Sequence, residues 1–227
     1  MPHSLTNGRF TTLVTPTGAG GASYEGFALT RYVPDRTRDA DGIWLYVRDL
    51  ENGEFWSAGL RPVLRAPDAY RVRFAPGLAE FVRTDGELEV VTELCIGIVP
   101  AELRRYTIVN HGQRPRRLEL TTYAEAVLNT AAADESHPAF SKLFVQTEFA
   151  VINEALLARR RLRSPDDAPL WAVHRFVTDD PGAGVVEYGT DRMRFIGRGR
   201  TTARPRALDP GVRLSGVTGN VLDPILS

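Results

Sequence analysis

Short apolar runs cut by turn residues constrain this chain more than any other feature. Segments rich in Val, Ile, Leu, Thr, Tyr, Phe and Trp alternate with Gly, Pro, Asn and Asp along all 227 residues. That is the pattern of half-buried strands joined by tight turns. The spacing predicts strands over 9–14, 27–33, 43–49, 54–58, 70–74, 79–84, 87–99, 103–110, 116–128, 139–149, 170–177 and 193–196. Asn52-Gly53 and Asp85-Gly86 each sit between two such runs, where tolerance of positive φ favours a tight hairpin. Along 118–122, Leu118, Leu120 and Thr122 alternate with Glu119 and Thr121, so one face is buried and the other wet. Helical periodicity is weak. The best candidate helix is 148–163, with Ile152, Leu156 and Leu157 on one side and Arg159-Arg160-Arg161 as a solvated end. His137-Pro138 is expected to pin the start of the strand over 139–149. A dozen strands with hairpin signals give an all-β chain, a two-sheet antiparallel sandwich forming one domain over 1–227.

Composition narrows the function classes. Formal charge is zero, so no broad electrostatic grip on nucleic acid or anionic membrane is expected. Lys142 is the sole lysine, and every other basic side chain apart from histidine is arginine. The single cysteine, Cys95, excludes an internal disulfide and lies in an apolar run that predicts a buried, inert thiol. No apolar run reaches bilayer-spanning length, and the first residues lack a signal pattern. A soluble, cytoplasmic chain is expected.

The stretch TPTGAGGASYEG, residues 15–26, resembles a phosphate cradle at first sight. A dinucleotide fingerprint needs a third glycine and a helix behind it. Here Ser23 stands at that offset, and Tyr24 to Tyr32 reads as strand. No Gly-Lys-Ser/Thr follows either, so both cradles fail. The four histidines (His3, His111, His137 and His174) show no metal-ligand spacing, and Cys-x-x-Cys and Gly-x-Ser-x-Gly are absent. No metal and no cofactor are expected.

Two segments carry candidate chemistry. Residues 30–44 interleave Arg31, Arg36 and Arg38 with Asp35, Asp39 and Asp41 between Tyr32 and Trp44. Aromatic faces beside Asp and Arg suit a sugar, whose C–H faces stack while its vicinal hydroxyls hydrogen-bond. The same residues also suit a solvated loop whose charges pair with one another. Residues 133–149 bring His137 together with Phe140, Phe144 and Phe149.

These segments also carry a family resemblance. Residues 5–62, 110–129, 137–149 and 188–201 resemble the N-terminal β-sandwich of glycoside hydrolase family 94, formerly glycosyltransferase family 36. The likeness is to the phosphorylase module of the cyclic β-1,2-glucan synthases. The resemblance implies a supersandwich of galactose-mutarotase-like type, truncated here at the C-terminus. In this family the sandwich precedes an (α/α)6 barrel that holds the catalytic acid and takes phosphate as co-substrate. With that barrel absent from the chain, no catalytic activity is expected of it alone.

The implied partners are a β-glucan oligosaccharide, the barrel domain in cis or trans, and further copies of the chain through exposed apolar surface. No nucleic acid partner is expected. The parent proteins are anchored in the inner membrane with this module in the cytoplasm. Ser23, Tyr24, Arg31, Asp35, Arg38, Asp41, Trp56 and His137 are the candidate substrate-binding residues on the rim of the barrel's sugar site. Two alternatives remain open. One is an autonomous carbohydrate-binding protein stacking sugars on Trp44, Trp56 and Tyr32. The other is a mutarotase-like enzyme joining His137 or His174 to a carboxylate.

Overall fold

The computed structural model describes residues 2–34, 39–162, 164, 169–180, 182–184 and 186–227. In chain order the strands are β1 (His3–Thr6), β2 (Phe10–Val14), β3 (Gly20–Tyr24), β4 (Phe27–Thr30), β5 (Trp44–Asp49), β6 (Phe55–Ser57), β7 (Ala69–Ala75) and β8 (Leu78–Asp85). They continue with β9 (Leu88–Ile96), β10 (Glu102–Asn110), β11 (Leu118–Thr130), β12 (Val145–Ala150), β13 (Ala155–Arg160), β14 (Trp171–Arg175) and β15 (Ile225–Leu226). Among the described residues the α-helices are α1 (Ala131–Ser136), α2 (Pro138–Lys142) and α3 (Arg192–Ile196), all short. The chain packs as two compact units, residues 1–26 with 31–121 and residues 27–30 with 122–227.

In the first unit β1, β2 and β3 form an antiparallel meander, Leu5 opposite Thr12 and Thr12 opposite Ala22. A second meander runs in the order β10-β9-β8-β7. Leu5 and Val14 from the first meander pack on Ala79, Phe81 and Leu94 from the second, all nearly inaccessible to water. The strict alternation along β8 and β9 places these apolar residues on one face. Burying such a face contributes about 1.5–3 kcal/mol per large aliphatic or aromatic side chain. β5 pairs with β6 around the Asn52-Gly53 turn, with Gly53 at φ 74°.

In the second unit the later half of β11 pairs with β4 and with β15. A three-stranded sheet, β12-β13-β14, covers a core of Ala126, Leu128, Val145, Leu156, Ala158 and Leu226. Every strand pair described in the two units is antiparallel, as the sequence pattern predicts.

Within the Gly-rich stretch, Gly20–Tyr24 is β3, paired residue by residue with β2. Four local expectations are corrected. The 148–163 helix is a hairpin instead, β12 to β13, reversed at Glu154 with φ 47°. Its alternation of Leu156, Ala158 and Arg160 was a two-residue period, and cross-strand packing decides it. His137-Pro138 opens α2 rather than a strand, because proline lacks the N–H that the first helical turn leaves unused. Residues 193–196 lie in α3, whose start is capped by the Asp191 carboxylate accepting the Arg194 N–H at 3.2 Å. Cys95 is half-buried rather than fully buried. No helix is long and apolar enough to cross a membrane among the described residues.

Candidate functional site

The first unit builds its loop cluster from the turn between β2 and β3. The Thr15 N–H donates to the Ala19 carbonyl at 2.7 Å, and the Gly18 N–H to the Thr15 carbonyl at 2.9 Å. The turn lies directly on residues 59–61. The Arg61 N–H donates to the Thr17 carbonyl at 3.0 Å, and a Cβ on Gly59 would stand 2.7 Å from that same oxygen. At Gly20 a Cβ would overlap the Leu13 carbonyl. The glycines therefore serve close backbone packing within the sandwich.

Residues 39–41 are fastened to this turn. The Asp39 carboxylate, at a residue with φ 42°, accepts hydrogen bonds from Thr17 and from Thr15, the latter at 3.3 Å. The Gly20 N–H donates to the Asp41 carbonyl at 3.0 Å, and the Asp41 carboxylate accepts the Val33 N–H at 3.1 Å. Burial, and then the nearby Asp39 and Asp41 charges, push the Tyr32 phenol up, so it stays a neutral donor. Arg31, Tyr32, Asp39 and Asp41 are half-buried. Together with Thr15 and Thr17 they offer guanidinium, phenol, hydroxyl and carboxylate groups over a short span. That donor and acceptor set matches a polyhydroxylated ligand.

The predicted residues do not all gather here. Ser23 and Tyr24 lie toward the far end of β3 from Gly20. The Ser23 hydroxyl faces the Thr11 carbonyl at 3.4 Å. The Tyr24 hydroxyl accepts from Arg9, whose guanidinium lies 5.2 Å from the Tyr24 ring centroid and also bonds Glu25. Asp35, Arg36 and Arg38 fall outside the described residues. Trp56 is only 3% exposed, with the Arg65 guanidinium 5.5 Å from its ring centroid, so it offers no free face for a sugar. Trp44 is buried to the same degree. The stacking role expected of both is corrected: both side chains are nearly inaccessible to water. His137 is exposed at the start of α2, in the second unit. His174 Nε2 lies 2.9 Å from the Thr122 hydroxyl.

The second unit holds a polar cluster that the sequence did not signal. The Glu125 carboxylate accepts from the Tyr123 hydroxyl at 2.8 Å and from Arg192 Nε at 2.7 Å. Lys142 Nζ stands 2.6 Å from Asp223 and 3.8 Å from Glu125, and Arg192 Nη1 is 3.6 Å from Asp223. Burial, reinforced by Glu125, raises the Tyr123 phenol far above its ordinary range. Two carboxylates meet two cations, so the cluster is balanced and ties β11, α2, α3 and the C-terminal segment together. Its members are spread from 123 to 223, and only the isolated lysine marked one of them. No group of three or more His, Cys, Asp or Glu is arranged to hold a metal among the described residues.

Comparison with known proteins gives a consistent result. The family model described as "Glycosyl hydrolase 94, supersandwich domain" matches residues 2–227. The chain is 42% identical over 226 residues to the cyclic beta-(1,2)-glucan synthase NdvB of Rhizobium meliloti (strain 1021), covering 98% of this chain and 8% of that protein. It is 28% identical over 212 residues to the N,N'-diacetylchitobiose phosphorylase of Vibrio furnissii, covering 89% of this chain and 25% of the relative. With the solabiose phosphorylase of Paenibacillus borealis it shares 25% identity over 132 residues, 55% of this chain and 17% of that enzyme. The chain thus spans a quarter or less of the length of each of these relatives.

Proposed function

The chain belongs to the glycosyl hydrolase 94 family as its supersandwich domain, and on that premise we propose that it is the non-catalytic, carbohydrate-associated module of a glucan-synthesising or phosphorolytic protein. In this reading it supports a helical-barrel catalytic domain, in cis or trans, and lines part of that domain's sugar site. Phosphate is the co-substrate of the assembly, not a ligand of this module. The observation that carries the reading is the fastening of residues 39–41 onto the β2–β3 turn through Asp39, Thr15, Thr17 and Gly20. It holds Asp41 against the turn, and the Val33 amide with it, which supports a sugar-lining role for the neighbouring Arg31 and Tyr32.

An acyl or glycosyl transfer needs a proton donor placed at the leaving oxygen. His137 is exposed, and the Asp39 carboxylate is taken up by the Thr15 and Thr17 hydroxyls, so the proposal assigns the chemistry to the barrel. Exposed apolar residues such as Ile98, Val99 and Leu103 favour self-association of the chain by itself.

Incubation of the purified chain with β-1,2-glucan and phosphate should release no glucose 1-phosphate. Addition of a separately produced barrel domain should restore release, and Arg31→Ala should weaken β-1,2-glucan binding by that mixture. Glucose 1-phosphate from the chain alone, or binding unaffected by Arg31→Ala, would refute the proposal.

A further inference from the structure

A pocket of about 270 Å³ opens on the first unit where the β5–β6 turn meets the ends of β8 and β9. Its walls include Asp49, Glu54, Trp56, Arg65, Asp85, Glu87 and Arg116. The charges interlock. Arg116 hydrogen-bonds Asp49, and its other nitrogens lie 3.7 Å from Glu51 and 3.7 Å from Glu87. Arg65 bonds Glu54 at 2.9 Å and lies 3.9 Å from Asp85. Arg83, behind the wall, holds Asp85 with two further contacts. The Trp56 residue is 97% buried, and its indole N–H has no hydrogen-bond partner.

We propose that this pocket binds a single neutral sugar residue. The four wall carboxylates face the two wall guanidiniums and, through Asp85, that of Arg83. A ligand with a fixed charge would gain from one set and be repelled by the other. The surplus negative charge rests on Glu54 and Glu87, which are more than half exposed and screened by salt. A vicinal diol suits both sets at once, because each hydroxyl donates to a carboxylate and accepts from a guanidinium. The volume is below that of drug-sized sites and suits one ring. The choice of a sugar over another polyol rests on the carbohydrate role proposed above; the preference for a neutral, hydroxyl-rich ligand does not.

The test is a glucose titration of the full chain in a Trp171→Phe background, followed by tryptophan fluorescence. A saturable change is expected, abolished by Trp56→Phe and weakened about tenfold or more by the Glu54→Gln/Glu87→Gln pair. These two side chains are exposed, so their loss leaves the fold intact and the result interpretable. Absence of a saturable change, an undiminished titration in the double variant, or saturation by spermidine in place of glucose would each overturn the proposal. Arg31→Ala separates the two readings. The variant should lose glucan binding in the mixture with the barrel and keep the glucose titration; glucan binding unaffected by Arg31→Ala overturns only the module's role, whereas lost glucan binding in a chain that shows no saturable glucose titration overturns only the pocket.

Discussion

Arg83 and Asp85 meet on β8 as a two-pronged ion pair, Nε to Oδ2 at 2.6 Å and Nη2 to Oδ1 at 2.9 Å, with side chains 0% and 3% exposed. They stand two residues apart on one strand and therefore point to the same face. Two of the three remaining guanidinium hydrogens go to the Gly59 and Arg65 carbonyls at 2.8 and 3.0 Å. One arginine thus ties β8 to the connection after β6.

Breaking this pair from one side should be costly. Asp85→Asn leaves a buried guanidinium uncompensated, and a loss of about 3–5 kcal/mol is expected. The exposed pair Arg73–Glu80, 3.4 Å apart, provides the contrast, since Glu80→Gln should cost about 1 kcal/mol or less. Urea unfolding of both variants checks the difference, and equal midpoints would contradict it.

Asp49 makes stability depend on acid. Burial opposes its ionisation, but the Arg116 hydrogen bond and the backbone N–H groups of Glu51 and Asn52 outweigh burial and hold its carboxyl below the usual range. A group depressed in the folded state stabilises above its unfolded pKa of about 4 and loses that contribution as pH falls through the lower folded value. As pH falls below about 4, the chain should therefore lose stability more steeply than Asp49→Asn does. Thermal midpoints measured across that range decide the point, and parallel curves would exclude it.

Two glycines should respond differently to alanine. Gly53 has φ 74° with open space around its Cβ position, so Gly53→Ala should cost only the backbone penalty of about 1–2 kcal/mol. At Gly20 a Cβ would strike the Leu13 carbonyl of the paired strand. Gly20→Ala must displace that strand and should cost more than Gly53→Ala, by about 1–3 kcal/mol. Denaturant midpoints rank the two, and a milder Gly20→Ala would show that the β2–β3 pairing yields easily.

Asp39 should govern local opening of the candidate sugar-lining segment. Asp39→Ala removes the acceptor shared by Thr15 and Thr17. The amides of Gly20 and Val33, which donate to Asp41, should then exchange with solvent about tenfold faster or more, one hydrogen bond contributing about 1 kcal/mol or somewhat above it. Unchanged protection at both amides would mean that the segment is held elsewhere.

Much of this architecture was legible because its causes lie between neighbours in sequence. Asn52-Gly53 and Asp85-Gly86 turn where positive φ is needed, with Gly53 at 74° and Gly86 at 60°, and the alternation in 78–85 and 88–96 selects the buried face before any partner is known. The misread segments were those where local signals conflict. Pro138 reads equally as the start of a strand or as the first residue of a helix, and only the α2 turn decides it. Residues 193–196 are apolar enough for a strand, yet the Asp191 cap makes them helical.

The candidate sites follow the same division. The Asp- and Arg-rich composition of 30–44 was visible in the sequence, but the fastening of Asp39 to Thr15 and Thr17 joins groups 24 and 22 positions apart and depends on packing. Trp56 could be named from sequence as an aromatic candidate, yet its burial, its partner Arg65 and the pocket it lines depend on packing. Strand period, turn chemistry and family membership were set by the sequence itself, because they depend on side chains a few positions apart. The Asp49–Arg116 and Glu125–Arg192–Asp223 contacts were decided only by tertiary structure. They join groups 67 and 98 positions apart at their widest, and no local preference specifies which distant charges will meet.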